Sequence, residues 1–176
     1  LEDSKDLIKK LNLSGFKVSN LPLLEISKVN YDYSKLNKFN VIIFTSSNAI
    51  KFLDLKNIDK NILCFCVGSS TEKIARLNGF QQVFAADGNV RNLKELVRQN
   101  LPAKDKKILY VSGEVVAYPL DKELISEGYN VERLIDYTVK HKVNLDLSFI
   151  ESLKKDMPNL VYVYSENSAK SFLNLI

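Results

Sequence analysis

The chain has 176 residues, 45% of them hydrophobic, which is enough for one large domain or two small lobes with packed cores. Its net charge of +4 comes from 21 lysines and four arginines scattered along the chain, a balance that suits an anionic small ligand and argues against nucleic acid. Residues 1–10 lack the apolar core of a signal peptide, and no apolar run reaches the roughly 20 residues that span a bilayer. We therefore expect a cytoplasmic protein with no membrane or nucleic-acid partner.

Taken in chain order, apolar runs bounded by turn residues alternate with stretches of helical period. The predicted strands are FKVS, PLLEI, VIIF, ILCFCV, FQQVF, KILYV, VERLIDYTV and LVYVY. Helices are predicted in most of the intervals between them. This alternation predicts an α/β fold with a largely parallel sheet flanked by helices.

Three of the predicted helices end in the same way, with a glycine that is followed by an aromatic residue and a short strand. The glycines are Gly15, Gly79 and Gly128. Glycine suits the left-handed backbone conformation that closes a helix, because it has no Cβ to clash with the preceding carbonyl. The pattern therefore predicts three helix ends.

The only two cysteines, Cys64 and Cys66, lie two residues apart in ILCFCVG. On a strand this spacing points both side chains to the same face, which is poor geometry for a disulfide between them. With no further cysteine and no cluster of histidines, we expect neither a metal site nor a cofactor.

Two segments place hydroxyl side chains between an apolar run and a helix, Thr45-Ser46-Ser47 in the first and Ser165-Glu166-Asn167 in the second. Because the two joins look equivalent, they predict two similar lobes. Residues 28–139 can supply a complete sheet for one lobe, and residues 1–27 plus 140–176 would form the other. The second lobe would have only FKVS and LVYVY as strands, too few to be stable alone, so we expect sequence to be missing at both ends.

Several motifs, read in order, resemble the uroporphyrinogen-III synthase family: PLLEI, IIFTSSNAIKF, CVGSST, ILYVSG, GYNVERLIDYTV and VYVYSENSAKSF. The similarity extends over nearly the whole chain, and its specificity lies in the order and spacing of the motifs. It implies two similar α/β lobes that are joined by a two-stranded linker, with the active site in the cleft.

The resemblance also implies an activity. The family cyclises hydroxymethylbilane, a linear tetrapyrrole with an acetate and a propionate on each ring, losing water and inverting the last ring to give uroporphyrinogen III. The implied partner is that small-molecule substrate, with direct hand-over from the preceding enzyme of the pathway as a further expectation. We expect a monomer.

A polyanionic substrate can be held by helix N-termini, because the first N–H groups of a helix have no intrahelical partner and the helix dipole favours negative charge there. The alternative at each position is an ordinary N-cap, which needs the same residue types. The candidate substrate-binding residues are Thr45, Ser46, Ser47, Ser69, Ser70, Thr71, Gly88, Asn89, Ser112, Gly113, Ser165 and Asn167.

Tyr137 aligns with the tyrosine that the family has at the lobe junction, and the resemblance implies a catalytic role as proton donor. A tyrosine suits that role because its reference pKa near 10 keeps the hydroxyl protonated at neutral pH. The alternative is a packing tyrosine, since strict alternation puts Tyr137 on the same strand face as Ile135 and Val139. The lone histidine, His141, is assigned no role.

A different class of function stays open at this point: a two-lobed α/β module that binds a small anion and catalyses nothing. An assay of hydroxymethylbilane turnover separates the two. A nucleotide-binding domain is disfavoured, because neither G-x-G-x-x-G nor G-x-x-x-x-G-K-[ST] opens a predicted helix.

Overall fold

A computed structural model of the chain describes residues 2–141, 145–163 and 165–174. Contacts divide the chain into two compact units, here named the central unit (Ile26–Val139) and the terminal unit (Leu1–Glu25 with Lys140–Ile176). The interpretation of residues 28–139 and of residues 1–27 plus 140–176 as two lobes of one enzyme stays a prediction. In the described part of the chain, no helix is long and apolar enough to cross a membrane.

The strands are β1 (Leu24–Lys28), β2 (Val41–Phe44), β3 (Leu63–Val67), β4 (Gln82–Ala86), β5 (Lys107–Gly113) and β6 (Asn130–His141). They form one sheet in the order β1-β6-β5-β2-β3-β4. The β2–β3, β2–β5, β3–β4 and β5–β6 pairs are all parallel. The predicted α/β fold with a largely parallel sheet is confirmed.

The helices are α1 (Glu2–Leu13), α2 (Ser47–Phe52), α3 (Gly68–Leu77), α4 (Val90–Asn100), α5 (Leu120–Ser126), α6 (Leu147–Lys155) and α7 (Glu166–Leu173). A 3₁₀ helix, Tyr33–Lys38, precedes β2 and is capped by Asp32, whose side chain accepts from the Ser34 N–H at 3.0 Å. Helices α2 to α5 follow the strands of the central unit in alternation, as the sequence predicts.

The core of the central unit lies on both faces of the sheet. Ile42 and Phe44 of β2 pack with residues of α2 and α3 on one face. Val41 and Ile43 pack with residues of α4 and α5 on the other. All four side chains of β2 are fully buried, because a parallel strand covered by helices on both faces has no solvent side. The unit is therefore a three-layer α/β/α structure.

Two predicted strands do not form in the part of the chain that the structure describes. Residues 16–19 (FKVS) and residues 160–163 of LVYVY have no regular secondary structure, and residue 164 lies outside the described residues. Phe16 is 62% exposed and Leu160 is 83% exposed. The prediction that these segments are strands was wrong for the part described, because an extended apolar pattern becomes a strand only where a neighbour supplies hydrogen-bond partners and buried area.

The three predicted helix ends are confirmed. Gly15, Gly79 and Gly128 have φ angles of 85°, 94° and 92°, in the left-handed region that glycine adopts without strain. After α3, the Gly79 N–H donates to the Arg76 carbonyl at 3.0 Å, which uses an acceptor that the helix itself leaves free.

A β-bulge interrupts β6 near its carboxyl end. Ser112 of β5 is in register with Ile135, but the next residue, Gly113, is in register with Tyr137, so Asp136 is the extra residue. Tyr137 consequently packs against the same core cluster as Leu134. The expectation from strict alternation, that Tyr137 shares a face with Ile135 and Val139, was wrong for Ile135, because the bulge at Asp136 shifts the side chains that follow it by one position.

The side chain of Asp136 is fully buried, and neither of its carboxylate oxygens has a hydrogen-bond partner in the described part of the chain. Its main-chain oxygen accepts from the Val29 N–H at 2.8 Å, which ties β6 to the end of β1. Burial raises the pKa of Asp136 to about 7, against the smaller opposing effects of its own main-chain N–H group and of the nearby Lys28 charge. Below neutral pH the group is therefore mainly a neutral acid.

This raised pKa predicts a pH dependence of stability. The folded protein retains a proton that the unfolded chain, with a pKa near 3.8, releases. The contribution to stability is therefore complete below about pH 4 and is lost as the pH rises to about 7, by up to about 4 kcal/mol. Asp136→Asn should remove this slope and be more stable than the parent above pH 7.

Urea unfolding of parent and variant between pH 4 and pH 8 measures the difference, with Asp105→Asn at an exposed aspartate as the matched control. Parallel stability curves for the parent and Asp136→Asn would contradict the buried, neutral state of this carboxyl group.

Candidate functional site

The carboxyl edge of the sheet in the central unit contains a topological switch point. From β2 the chain proceeds to β3 and β4 on one side, then returns to β5 on the other side of β2. Connections leave neighbouring strands in opposite directions at such a point, which opens the crevice where α/β proteins bind ligands. The predicted residues Thr45, Ser46 and Ser47 follow β2, and Ser112 and Gly113 end β5, so both groups border the crevice.

The ring of Tyr137 is held between Gly113 and Phe52. A Cβ atom on Gly113 would lie 2.7 Å from both Cε2 and Cζ of that ring, so only glycine leaves room for it. On its other side, the ring stacks on Phe52 of α2, with centroids 6.1 Å apart and planes inclined by 29°. The Glu114 N–H donates to the Tyr137 carbonyl at 2.9 Å, which fixes the strand beside the ring.

The hydroxyl group of Tyr137 interacts with the β2 corner, which consists of the three residues Thr45, Ser46 and Ser47 that follow β2. Burial raises its pKa, and hydrogen bonds with the Ser46 side chain and the Gly113 main chain oppose the rise. The nearby Asp136 adds to the rise when it is ionised. At neutral pH the hydroxyl is protonated, so it can donate a hydrogen bond or a proton to a group beside it.

Ser46 has two functions in the structure. Its side chain accepts from the Asn48 N–H at 3.2 Å and thereby caps α2, while the same side chain interacts with Tyr137. The preceding residue, Thr45, lies with its hydroxyl 3.3 Å from the hydroxyl of Tyr110. Ser47 is the first residue of α2 and is half-buried. Ser46 is therefore an N-cap of α2, and its side chain also interacts with Tyr137, so capping does not exclude a further role in the site.

The β5 corner, which consists of Ser112, Gly113 and Glu114 at the end of β5, is held by Arg133. Sequence reasoning missed this arginine. Nε of Arg133 donates to Ser112 Oγ at 2.8 Å, and Nη2 donates to the carbonyls of Gly113 at 2.7 Å and Glu114 at 2.8 Å. The Ser112 hydroxyl in turn donates to the Gly113 carbonyl at 3.0 Å. A signal was present, because an arginine within the apolar strand VERLIDYTV needs a polar partner.

The corner after β3 leaves its helix without a side-chain cap. The residue before α3 is Val67, which has no side-chain acceptor, and Gly68 begins the helix with a φ of 76°. Ser69 and Ser70 are in the first turn and both are exposed, whereas the side chain of Thr71 is buried on the inner face. The first amides of α3 are therefore left to solvent or to a ligand.

The corner after β4 is exposed and capped. The Asn89 side chain accepts from the Arg91 N–H at 2.8 Å and from the Asn92 N–H at 3.3 Å, which is the geometry of an N-cap. Gly88 precedes it with a φ of 88°. A role of either residue in substrate binding stays a prediction.

The two remaining candidates belong to the terminal unit. Ser165 caps α7, its hydroxyl accepting from the Ser168 N–H at 3.2 Å. Asn167 lies in the first turn of α7, and its side chain lies outside the described residues. In the same unit, His141 Nδ1 is hydrogen-bonded to Ser171 Oγ. For Ser165 and Asn167, a contribution to substrate binding stays a prediction.

The two cysteines face the same way, as predicted, with Cys64 Sγ and Cys66 Sγ 3.8 Å apart in the core. Both are free thiols. Within the ranges that the structure describes, no three His, Cys, Asp or Glu side chains converge in a way that could hold a metal ion.

The strand order and the parallel pairing place the protein in the class of doubly wound α/β proteins, and its strands end at one polar edge of the sheet. The chain belongs to the uroporphyrinogen-III synthase family, because it matches the family model described as uroporphyrinogen-III synthase HemD over residues 5–176. The membership predicted from the sequence motifs is thus confirmed, and with it the enzyme class, a cyclising lyase of tetrapyrrole biosynthesis.

Solved structures of such synthases share the fold. The uroporphyrinogen-III synthetase of Helicobacter pylori 26695 is 24% identical, with a TM-score of 0.66 over 89% of this chain and 71% of its own. A mutant uroporphyrinogen III synthase from the extremely thermophilic bacterium Thermus thermophilus is 14% identical, with a TM-score of 0.55 over 88% of this chain and 66% of its own. No curated protein sequence matches the chain significantly.

The contact between Gly113 and Tyr137 gives a test of the site geometry. In Gly113→Ala the new methyl group would overlap the tyrosine ring, so we expect a loss of about 1 to 3 kcal/mol in the free energy of unfolding. The cost should fall by at least about 1 kcal/mol in a Tyr137→Ala background, where the ring is gone. Urea unfolding of the four proteins of this cycle measures the coupling, and additive effects would show that the ring does not lie on Gly113.

Proposed function

We propose that this chain cyclises hydroxymethylbilane to uroporphyrinogen III and that the reaction takes place at the switch-point edge of the central unit. One observation carries the proposal. The protonated hydroxyl of Tyr137 is held beside the Ser46 corner by Gly113 and Phe52, at the point where the topology opens a crevice.

The substrate carries an acetate and a propionate on each of four rings, so it is a polyanion at neutral pH. Main-chain N–H groups at helix N-termini can bind carboxylates without a cluster of cations. The first turn of α3 supports this role, because Val67 supplies no side-chain cap and Ser70 is exposed there. This mode of binding agrees with a net charge of only +4.

In the proposed reaction, the terminal hydroxymethyl group is protonated and loses its hydroxyl as water, and its CH₂ carbon stays behind as a cation that the far ring attacks to form the new C–C bond. Departure of the hydroxyl group needs one proton or a strong hydrogen bond, which the hydroxyl of Tyr137 would supply. The Ser46 side chain and the Gly113 main chain would then stabilise the negative charge that develops on the tyrosine oxygen.

Positioning contributes more than acid catalysis in this proposal. The linear substrate closes by itself without inversion, so the enzyme must fold it in a way that makes the inverted closure faster. Fixed contacts with several carboxylates can supply that preference of several kcal/mol without a strong catalytic group. A module that binds an anion without catalysis is not favoured, because the family is one of enzymes.

We further propose a monomer that acts in the cytoplasm and receives its substrate directly from the preceding enzyme. The reason for hand-over is chemical: a substrate that closes spontaneously to the wrong isomer is best transferred before it can diffuse. The discriminating assay supplies hydroxymethylbilane and measures the ratio of uroporphyrinogen III to the non-inverted isomer. Formation of the non-inverted isomer alone, at the spontaneous rate, would overturn the proposed function.

The role of main-chain amides predicts a difference between alanine and proline. Ser70→Ala keeps the main-chain N–H group, as do Ser46→Ala and Thr71→Ala. Each should reduce the free energy of binding and of unfolding by only about 1 kcal/mol or less. Ser70→Pro removes a donor in the first turn of α3, where a helix tolerates proline. We expect it to weaken binding of uroporphyrin III several-fold, as measured by fluorescence titration, with little change in the urea midpoint. Equal losses of binding and stability would favour a purely structural corner.

The role of Tyr137 predicts the effect of removing one oxygen atom. Tyr137→Phe keeps the ring on Gly113 and should fold normally, but we expect turnover to fall by roughly 10²-fold or more, the lower range for general acid catalysis. The remaining product should still be mostly the inverted isomer, because inversion depends on how the substrate is folded.

The matched control is Tyr129→Phe, at a tyrosine that is 4% exposed in the core on the other face of the sheet. It should leave turnover within a few-fold of the parent. If Tyr137→Phe behaves in the same way, Tyr137 is a packing residue and water or the substrate assists departure of the hydroxyl group.

A further inference from the structure

We propose that Arg133 binds a carboxylate of the substrate at the β5 corner, with the Nη1 side of its guanidinium. The inference rests on the proposed function, since it takes the tetrapyrrole as the ligand. It adds a charged side chain to a site that otherwise consists of hydroxyl groups and main-chain amides.

The first observation is the pattern of donors that Arg133 uses. An arginine has five N–H donors in a rigid, planar arrangement. Nε donates to Ser112 Oγ, and Nη2 donates to the carbonyls of Gly113 and Glu114. The two donors of Nη1 have no hydrogen-bond partner among the residues that the structure describes. One side of the group is thus fixed by the protein, and the other side is available.

The second observation is the charge. Arg76 and Arg98 each pair with a glutamate, at 2.9 and 2.5 Å. No carboxylate lies within ion-pairing distance of Arg133 in the described part of the chain, and its side chain is half-buried. A cation that is fixed in position but not neutralised favours an anionic ligand, because no existing ion pair has to be broken.

The third observation is the position of Arg133 in the site. It is in register with Tyr110 of β5. Burial raises the pKa of Tyr110, while the Thr45 hydrogen bond and the Arg133 charge lower it. The positive charge of Arg133 therefore acts on the Tyr110 hydroxyl, which contacts Thr45 in the β2 corner. The acceptors of the Arg133 hydrogen bonds all belong to the β5 corner. Both corners border the switch point.

A rigid guanidinium is well suited to this task. Its contacts with Ser112, Gly113 and Glu114 hold the side chain in one orientation before any ligand arrives, which lowers the entropic cost of binding. A carboxylate at Nη1 would form a charge-assisted hydrogen bond, stronger than one to a neutral amide. The alternative is that Arg133 only ties the end of β5 to β6, and the experiment below separates the two.

The test uses Arg133→Gln and Arg133→Lys in the full chain, with Arg76→Gln as the matched control. Like Arg133, Arg76 donates to a main-chain carbonyl of the sheet, that of Val83 at 2.8 Å, but it is on α3 and already pairs with Glu72. For each protein we would measure kcat and KM with hydroxymethylbilane, the Kd of uroporphyrin III at two salt concentrations, and the urea midpoint.

We expect Arg133→Gln to raise KM and Kd about tenfold, with kcat within about twofold of the parent and a weaker salt dependence of Kd. Arg133→Lys keeps the charge and should raise KM and Kd about threefold. Arg76→Gln should change neither constant. Unchanged KM and Kd in Arg133→Gln, with or without a loss of stability, would overturn the inference.

If Arg133→Gln does not fold, Arg133→Lys decides: a rise in KM of about threefold with normal kcat supports the inference, and a KM within experimental error of the parent overturns it. Two other results are distinct from these: no uroporphyrinogen III from the parent would overturn the proposed function, whereas full turnover by Tyr137→Phe would overturn only the role of that tyrosine as proton donor. In the first of those cases, loss of uroporphyrin III binding in Arg133→Gln would still support an anion site at this corner.

Discussion

The structure of the central unit depends on the burial of β2 between parallel neighbours. All four of its side chains are fully buried, and it pairs with β3 on one side and β5 on the other. Because parallel strands all point the same way, their carboxyl ends meet at one edge, and every connection from strand to helix starts there. Polar residues that are separated by up to about 90 positions in the sequence are thereby brought to a single edge of the sheet.

The bulge in β6 adapts this regular framework to a specific site. An extra residue, Asp136, turns Tyr137 towards Gly113 and the β2 corner. The glycine is needed because a Cβ atom would overlap the tyrosine ring. The extra residue has a cost, since its carboxyl group is buried with no hydrogen-bond partner among the described residues. Bulges are common next to active sites, where they direct a side chain out of the regular alternation.

The β5 corner shows how a proposed site in a weakly charged protein could bind a polyanion. Most of its cations are lysines on flexible side chains, and such charges are screened by salt. Arg133 differs because three hydrogen bonds to Ser112, Gly113 and Glu114 fix its orientation. In the proposed site, helix amides and one oriented guanidinium together would provide directed donors, which matter more than net charge for holding a flexible substrate in one conformation.

Much of the local structure follows from the sequence alone. The apolar runs predict the strands β2 to β6 within a few residues, and the glycines predict the ends of three helices. The hydroxyl and amide residues at Ser46, Asn89 and Ser165 cap helices as their type leads one to expect. These features depend on neighbours within four or five positions along the chain, so a linear pattern contains the information.

Only the tertiary structure decides the remaining features, because they depend on pairing between distant segments. The bulge that redirects Tyr137 exists only in the register of β6 against β5, and no alternation pattern reveals it. FKVS and LVYVY have the composition of strands, but their described residues are not part of a sheet. The role of Arg133 depends on which carbonyls lie beside its guanidinium, and the role of Asp136 depends on how completely its carboxyl group is buried. The sequence determines which segments can be strands; hydrogen bonding and burial across the sheet determine which of their side chains meet at the carboxyl edge.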